Sequence, residues 1–273
     1  MPATLAALPK GHEFSLSAFD LSQAWVADYV AAVEDEAISA LGDFVPPMAT
    51  AALSIRALLK SAALPAGTIH LGQDLNFVNA ASAGERLTVA ARVASRGERR
   101  DWVLMAVELD VRGQTDASIT TGRATVTFPN DAAAALPAVE SDGSRDELPG
   151  RDLPSVVKEI TQEKINRYAA ASGDYNPLHV DPAFGTRTRF GGTIAHGMLV
   201  LAYVSEMMTE AFGESWLAGG RLKARFRAPA RPGDTVTTSG QLVRHESTLR
   251  TYAIACINGN GDVLISGEAE VRE

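Results

Sequence analysis

An intrachain disulfide is excluded at the outset. The chain of 273 residues has a single cysteine, Cys256, so no intrachain bridge can form, which fits a reducing compartment. Long apolar runs are missing as well, and nothing approaches the ~18 consecutive apolar residues of a membrane span. The opening stretch, MPATLAALPKGHEF, has no basic n-region and only a short apolar run, so no signal peptide is read there. Positive charge is in deficit, with 25 Lys and Arg against 33 Asp and Glu and a formal net charge of −8. That balance gives no global attraction to nucleic acid, and a polyanion would need a local basic patch. These absences predict a cytoplasmic protein with neither a membrane nor a nucleic-acid partner. What is present is apolar: hydrophobic residues make up 46%, enough for a packed core. The length suits one large domain or two of roughly 100–200 residues.

Residues 129–153, PNDAAAALPAVESDGSRDELPGRDL, mix proline, glycine, alanine and acids with no helical or strand period. They read as a surface linker between residues 1–128 and 154–273. The two halves then read alike. Each starts with an amphipathic helix, the first capped by Asp20 with Gln23 three residues on, the second capped by Thr161 with Glu163 in its first turn. Each continues through a proline-containing loop into a helix apolar on nearly every face, Met48–Ala62 and His196–Met208. A helix of that kind is buried, and these are too short for a bilayer.

Four strand-like runs follow in each half, at 68–79, 86–95, 101–112 and 117–128, then at 220–228, 234–244, 248–258 and 262–271. The turn Ala83-Gly84-Glu85 is echoed by Pro232-Gly233-Asp234, and Phe77 and Phe226 each stand seven residues before that glycine. A duplicated unit of about 130 residues accounts for the pattern. One buried helix wrapped by an antiparallel sheet is a hot-dog, so the expected fold is α+β, a double hot-dog whose edge strands join.

Chemistry concentrates in Tyr168–Met198. There Ser172-Gly173-Asp174-Tyr175-Asn176-Pro177-Leu178-His179 is followed by Phe190-Gly191-Gly192-Thr193-Ile194-Ala195-His196-Gly197-Met198. Asp174 and His179 lie five apart. Gly173 frees the backbone, Pro177 forbids a continuing helix, and the Asn-Pro pair can turn both side chains to one spot. A carboxylate and a neutral imidazole can grip one water, and the residues leave open which takes its proton. The blander alternative is an Asp capping a turn with a His bonded beside it. Gly197 opens the second apolar helix, where unpaired N–H groups carry partial positive charge. That N–H suits an oxyanion, although the glycine could serve tight packing alone.

This ordered motif resembles the MaoC-like dehydratase and (R)-specific enoyl-CoA hydratase (hydratase 2) family. The resemblance is dense in the second half and holds only in outline in the first. It implies reversible hydration of a trans-2-enoyl thioester to the (R)-3-hydroxyacyl product, with Asp174 and His179 as the catalytic dyad and the Gly197 N–H as carbonyl donor. The carrier is CoA or acyl carrier protein; no cofactor and no metal are implied. Asn176, His196 and Ser172 are supporting candidates: Asn176 either fixes the loop or touches substrate or water, and His196 fixes the loop. Asp174, His179 and His196 do not show a usual zinc spacing.

Arg221, Lys223, Arg225 and Arg227 share one face of a strand, and Arg187 and Arg189 precede the buried helix. Of these, Arg187, Arg189, Arg225 and Arg227 are the candidates for CoA phosphates, against a plain solvated face as the alternative. Where the family has a small Ala or Ser, this chain has Gly185, expected to loosen the loop.

The first half has Asp35 and Asp43 in its equivalent loop but only His12 and His70 as histidines, so it holds no second dyad of this spacing. The resemblance makes it a degenerate half that shapes the acyl pocket. Two rivals stand beside hydration. One is a hot-dog thioesterase using Glu206 in the apolar helix. The other is a non-catalytic accessory subunit. A homodimer of double hot-dogs is compatible with the pattern.

Overall fold

The computed structural model describes residues 3–65, 67–99, 101–130, 150 and 152–272. After a two-residue strand β1 (Ala3–Thr4) come β2 (Ser17–Asp20) and helix α1 (Gln23–Val33). Ser22, not Asp20, caps α1, its Oγ accepting from the Trp25 N–H at 3.2 Å. Asp20 instead ends β2 and pairs with Arg86 at 3.0 Å. The reason is Leu21, which is fully buried, so the chain must dip into the core before the helix can start.

In the second half, β8 (Val157–Glu159) precedes α3 (Gln162–Ser172), and here Thr161 is the cap, accepting from the Lys164 N–H at 3.1 Å. The linker read at 129–153 lies largely outside the described residues. Its described end is tied down: the Gly150 N–H donates to Gln241 Oε1 at 2.8 Å and the Asp152 N–H to the Gly240 carbonyl at 2.8 Å.

The apolar helices are α2 (Pro47–Ser61) and α6 (Gly197–Phe212). Every residue of α6 from Met198 to Thr209 is buried. It runs four residues past the sequence reading and stops at Gly213, whose φ of 52° and ψ of −130° suit glycine alone. A two-residue strand β3 (Ala62–Ala63) follows α2 and pairs with β1. Short helices α4 (Pro177–Val180), α5 (Pro182–Thr186) and α7 (Glu214–Leu217) fill the second half.

The strands are β4 (Ile69–Phe77), β5 (Arg86–Arg99), β6 (Trp102–Arg112) and β7 (Ser118–Pro129), then β9 (Arg221–Phe226), β10 (Thr235–Glu246), β11 (Leu249–Ile257) and β12 (Val263–Arg272). Among the described residues ten strands form one antiparallel sheet in the order β2-β5-β6-β7-β4-β9-β12-β11-β10-β8. The seam is β4 against β9, with Leu75 opposite Leu222 and Gln73 opposite Ala224.

Two hot-dog units are therefore fused edge to edge, each wrapping its own apolar helix, and the join removes two open edges. The sequence reading missed β2 and β8, which are too short to show alternation. One hydrophobic core spans both halves, with Met48, Leu53, Leu199 and Tyr203 among its members. A second, in the first half, gathers Leu5, Val103 and Phe128. Among the described residues no helix is long and apolar enough to cross a membrane.

Candidate active site

Helix α3 ends on Gly173 in the left-handed region at φ 76°, which throws the chain off the helix axis. The next turns are fixed by side chains. Ser172 Oγ donates to the Tyr168 carbonyl at 2.7 Å and accepts from the Asp174 N–H at 3.3 Å. Asp174 Oδ1 accepts from the Asn176 N–H at 3.1 Å, and Asn176 Oδ1 accepts from the Leu178 N–H at 3.1 Å, capping α4 with Pro177 at its first position. Ser172 and Asn176 thus hold the loop, and Asn176 also borders the cavities described below.

His179 sits in α4 with Nδ1 2.9 Å from the Ile194 carbonyl. A carbonyl only accepts, so Nδ1 carries the hydrogen and the neutral ring keeps its lone pair on Nε2. Burial lowers the His179 pKa, against an upward pull from the Asp174 charge. His196 caps α6, and its Nε2 donates to the Asp174 main-chain carbonyl at 2.9 Å. Its pKa is pushed well down, first by burial and then by His179. His196 therefore fastens the Asp174 loop to the start of α6 as a neutral ring. It lies against His179 at 3.9 Å between centroids and 33°.

A carboxylate oxygen of Asp174 and one nitrogen from each of His179 and His196 fall within 4.8 Å of one another. One nitrogen of each ring is already engaged with a main-chain carbonyl, His179 Nδ1 with Ile194 and His196 Nε2 with Asp174.

Gly197 is the first residue of α6, where the N–H has no intrahelical acceptor. A Cβ there would stand 2.7 Å from Phe226 Cε1, so close packing also demands glycine. Gly185 does not loosen its loop. A Cβ there would lie 2.5 Å from the Gly192 carbonyl carbon, so its smallness lets α5 press onto the Gly192–Thr193 backbone.

Asp174, His179, His196 and Gly197 line a cavity of about 220 Å³. Much of its remaining wall is aliphatic and comes from both halves, including Ile55, Leu58, Ala124 and Val126 from the first and Val200 and Leu264 from the second. A second cavity, of about 540 Å³, shares Asp174, Asn176 and Leu178 with it and is bordered by Tyr175, Arg187 and Arg189.

The four arginines do not meet at one place. Arg225 lies on the outer sheet face, 3.4 Å from Asp74, while Arg227 donates from Nε to Ser266 Oγ at 2.9 Å and borders the first cavity. Arg221 on the same face is 3.7 Å from Glu270, so acids partly neutralise that row. Glu206 borders neither cavity. Its Oε1 accepts from Lys158 Nζ at 2.9 Å and from the Glu36 N–H at 3.1 Å, and burial raises its pKa.

One wall residue escaped the sequence reading as such. His70, from the first half, borders the apolar cavity with its ring 4.7 Å from Phe226, and burial lowers its pKa to about 4. The register of β4 shifts between His70 and Gly72, a bulge that re-aims side chains, and the glycine inside the strand was the available signal.

A double hot-dog with Asp174 and His179 placed ahead of its second wrapped helix defines a class, and the chain belongs to the MaoC-like dehydratase family. The family model described as "MaoC like domain" matches residues 147–256. The chain is 32% identical over 116 residues to the 3-hydroxybutyryl-CoA dehydratase of Methylorubrum extorquens, a match spanning 42% of this chain and 74% of that protein. It is 30% identical over 118 residues to the (R)-specific enoyl-CoA hydratase of Aeromonas caviae, spanning 42% of this chain and 87% of that one. A solved MaoC-like dehydratase from Phytophthora capsici superposes with a TM-score of 0.73 at 18% identity, over 97% of this chain and 96% of that one, and shows the fold.

Proposed function

We propose that this chain catalyses the reversible hydration of a trans-2-enoyl-CoA to the (R)-3-hydroxyacyl-CoA. The observation that carries the proposal is the meeting of the Asp174 carboxylate with a His179 ring whose tautomer is fixed by the Ile194 carbonyl. A water held between them loses a proton to His179 Nε2 while its oxygen bonds to C3. The double-bond electrons move onto the thioester oxygen, which the Gly197 N–H stabilises at the helix start. Asp174 offsets the charge of the transient imidazolium. Collapse of the enolate takes the proton from Nε2 onto C2 and restores the neutral ring, so one water is added and nothing else is consumed. The (R) configuration is carried over from the hydratase relative's name.

The aliphatic wall suits the acyl chain, and an apolar cavity of this kind favours an apolar occupant over water. The second cavity suits the carrier arm, with Arg187 and Arg189 toward its phosphates.

Loss of enoyl absorbance is measured on adding the protein to crotonyl-CoA, beside Asp174→Asn and a free-thiol assay. Loss without thiol release, abolished in the variant, supports the proposal; thiol release makes the protein a thioesterase. Gly197→Ala should lower kcat by about 100-fold, as expected for an impaired oxyanion donor. Arg187→Ala with Arg189→Ala should raise KM for the CoA thioester but not for the pantetheine thioester. If Arg225→Ala with Arg227→Ala does so instead, the substrate runs the other way through the site.

A further inference from the structure

The dyad loop is held from the half that lacks a dyad. Trp25, in the first turn of α1, donates from Nε1 to the Ala171 carbonyl at 3.0 Å. That carbonyl lies in the last turn of α3, where helix geometry leaves acceptors without an intrahelical donor. Gly173 and Asp174 follow at once. Arg56 of α2 presses on the same point, since a Cβ on Gly173 would stand 2.8 Å from Arg56 Nε.

From Trp25 a run of rings continues to the dyad. Tyr29 lies 5.8 Å away, Tyr168 is 6.0 Å beyond it, His196 a further 5.0 Å, and His179 a further 3.9 Å. Tyr29 and Tyr168 are both fully buried in the middle of this run. The run is anchored to main-chain carbonyls at both ends, by the Trp25 N–H on Ala171 and by the His196 N–H on Asp174.

The same helix position does something else in the other direction. Lys164, third in α3 as Trp25 is third in α1, donates from Nζ to Glu34 Oε2 at 2.7 Å and to the Glu159 carbonyl at 2.6 Å. Each helix thus reaches the far end of the other, by an indole where the dyad stands and by an ammonium where it does not.

We infer that Trp25 is a positioning residue for the dyad, setting Asp174 and His179 through the Ala171 carbonyl and the ring stack. The inference rests on the dyad reading above and adds a role for the half without one. Displacing a catalytic group by about 1 Å can cost on the order of 100-fold in rate.

Trp25→Phe keeps a ring at the head of the stack and removes only the N–H. It should lower kcat for crotonyl-CoA by about tenfold while KM and Tm barely move. A purely structural residue would lower Tm and the folded fraction and leave kcat per folded molecule intact, and that result overturns the inference. An activity-free readout accompanies it: in isotope-labelled protein, the histidine ring resonances of His179 and His196 should shift while those of His12 and His245 stay in place. Unmoved His179 and His196 signals overturn the inference even if no enoyl thioester is turned over. The dyad reading fails separately, if Asp174→Asn is as active as the unaltered protein.

Discussion

The two halves place an aspartate at the same point and do opposite things with it. Helices α1 and α3 are both 11 residues long, each ends in a left-handed residue, and the next residue is Asp35 in one half and Asp174 in the other. Around Asp174 stand a histidine five residues on, a histidine cap and a glycine opening the wrapped helix. Around Asp35 the chain offers no such histidine, and the corresponding helix is capped by Pro46 and opened by Pro47. Proline has no N–H, so this helix start offers no counterpart of the Gly197 N–H.

The vacated place is filled by charge. Lys158 binds Glu206 at 2.9 Å and the Glu34 carbonyl at 2.5 Å, and Lys164 binds Glu34 at 2.7 Å. Glu206 is the tenth residue of its helix, as Arg56 is of the other, and each reaches across to the opposite loop. On the proposed reading the Asp174 carboxylate reacts because of its neighbours; Asp35, without them, is a buried acid whose pKa is raised by burial and by Glu206.

One substitution made twice breaks the comparison open. Asp174→Asn should lower kcat by roughly 1,000-fold, within the range for removal of an acid–base group, while Tm stays within a few degrees. Turnover near normal would end the dyad assignment. Lys158→Met should destabilise the fold by about 3–5 kcal/mol, because the buried Glu206 is left unpaired. Urea unfolding measures that loss, and kcat per folded molecule should hold.

Asp35→Asn should act on stability with the opposite sign. Burial, then Glu206, raises the Asp35 pKa from 3.8 to about 6. A raised carboxylate pKa means that the folded state holds the proton more tightly. Its stabilising effect is complete below 3.8 and is lost as pH climbs through about 6. Asparagine does not titrate, so the variant should match the parent near pH 4 and gain up to about 3 kcal/mol above pH 7. Equal Tm values for the two proteins at pH 8 would show that Asp35 ionises without penalty. Ala124→Phe, on the wall that the first half lends, should cut kcat/KM for long enoyl chains by about tenfold and spare crotonyl-CoA, through overpacking of the cavity. An unchanged chain-length profile would place the acyl tail elsewhere.

Much of this was legible in the chain because it is local. Asp174, His179 and the helix opened by Gly197 sit within one contiguous stretch, and the strands of six or more residues were all readable as strand-like runs. The misses are short or distant. Strands β2 and β8 have four and three residues, and neither alternation nor composition marks segments that brief. Asp20 and Ser22 are both good caps, and only the burial of Leu21 chooses between them. Gly185 faces a backbone that comes close only in the folded loop. Trp25 meets Ala171 across 146 residues, and no spacing rule reaches that far. Glu206 stood out as an acid in an apolar helix, yet its partner Lys158 is 48 residues away.

The continuous seam between β4 and β9 also sets how the protein behaves on dilution. A cavity walled by two separate subunits comes apart when their concentration falls below the dissociation constant. Here both walls lie on one chain, so each meets the other at a fixed effective concentration that dilution does not change. The specific activity of such a site should stay constant at protein concentrations where an unlinked pair would already have parted.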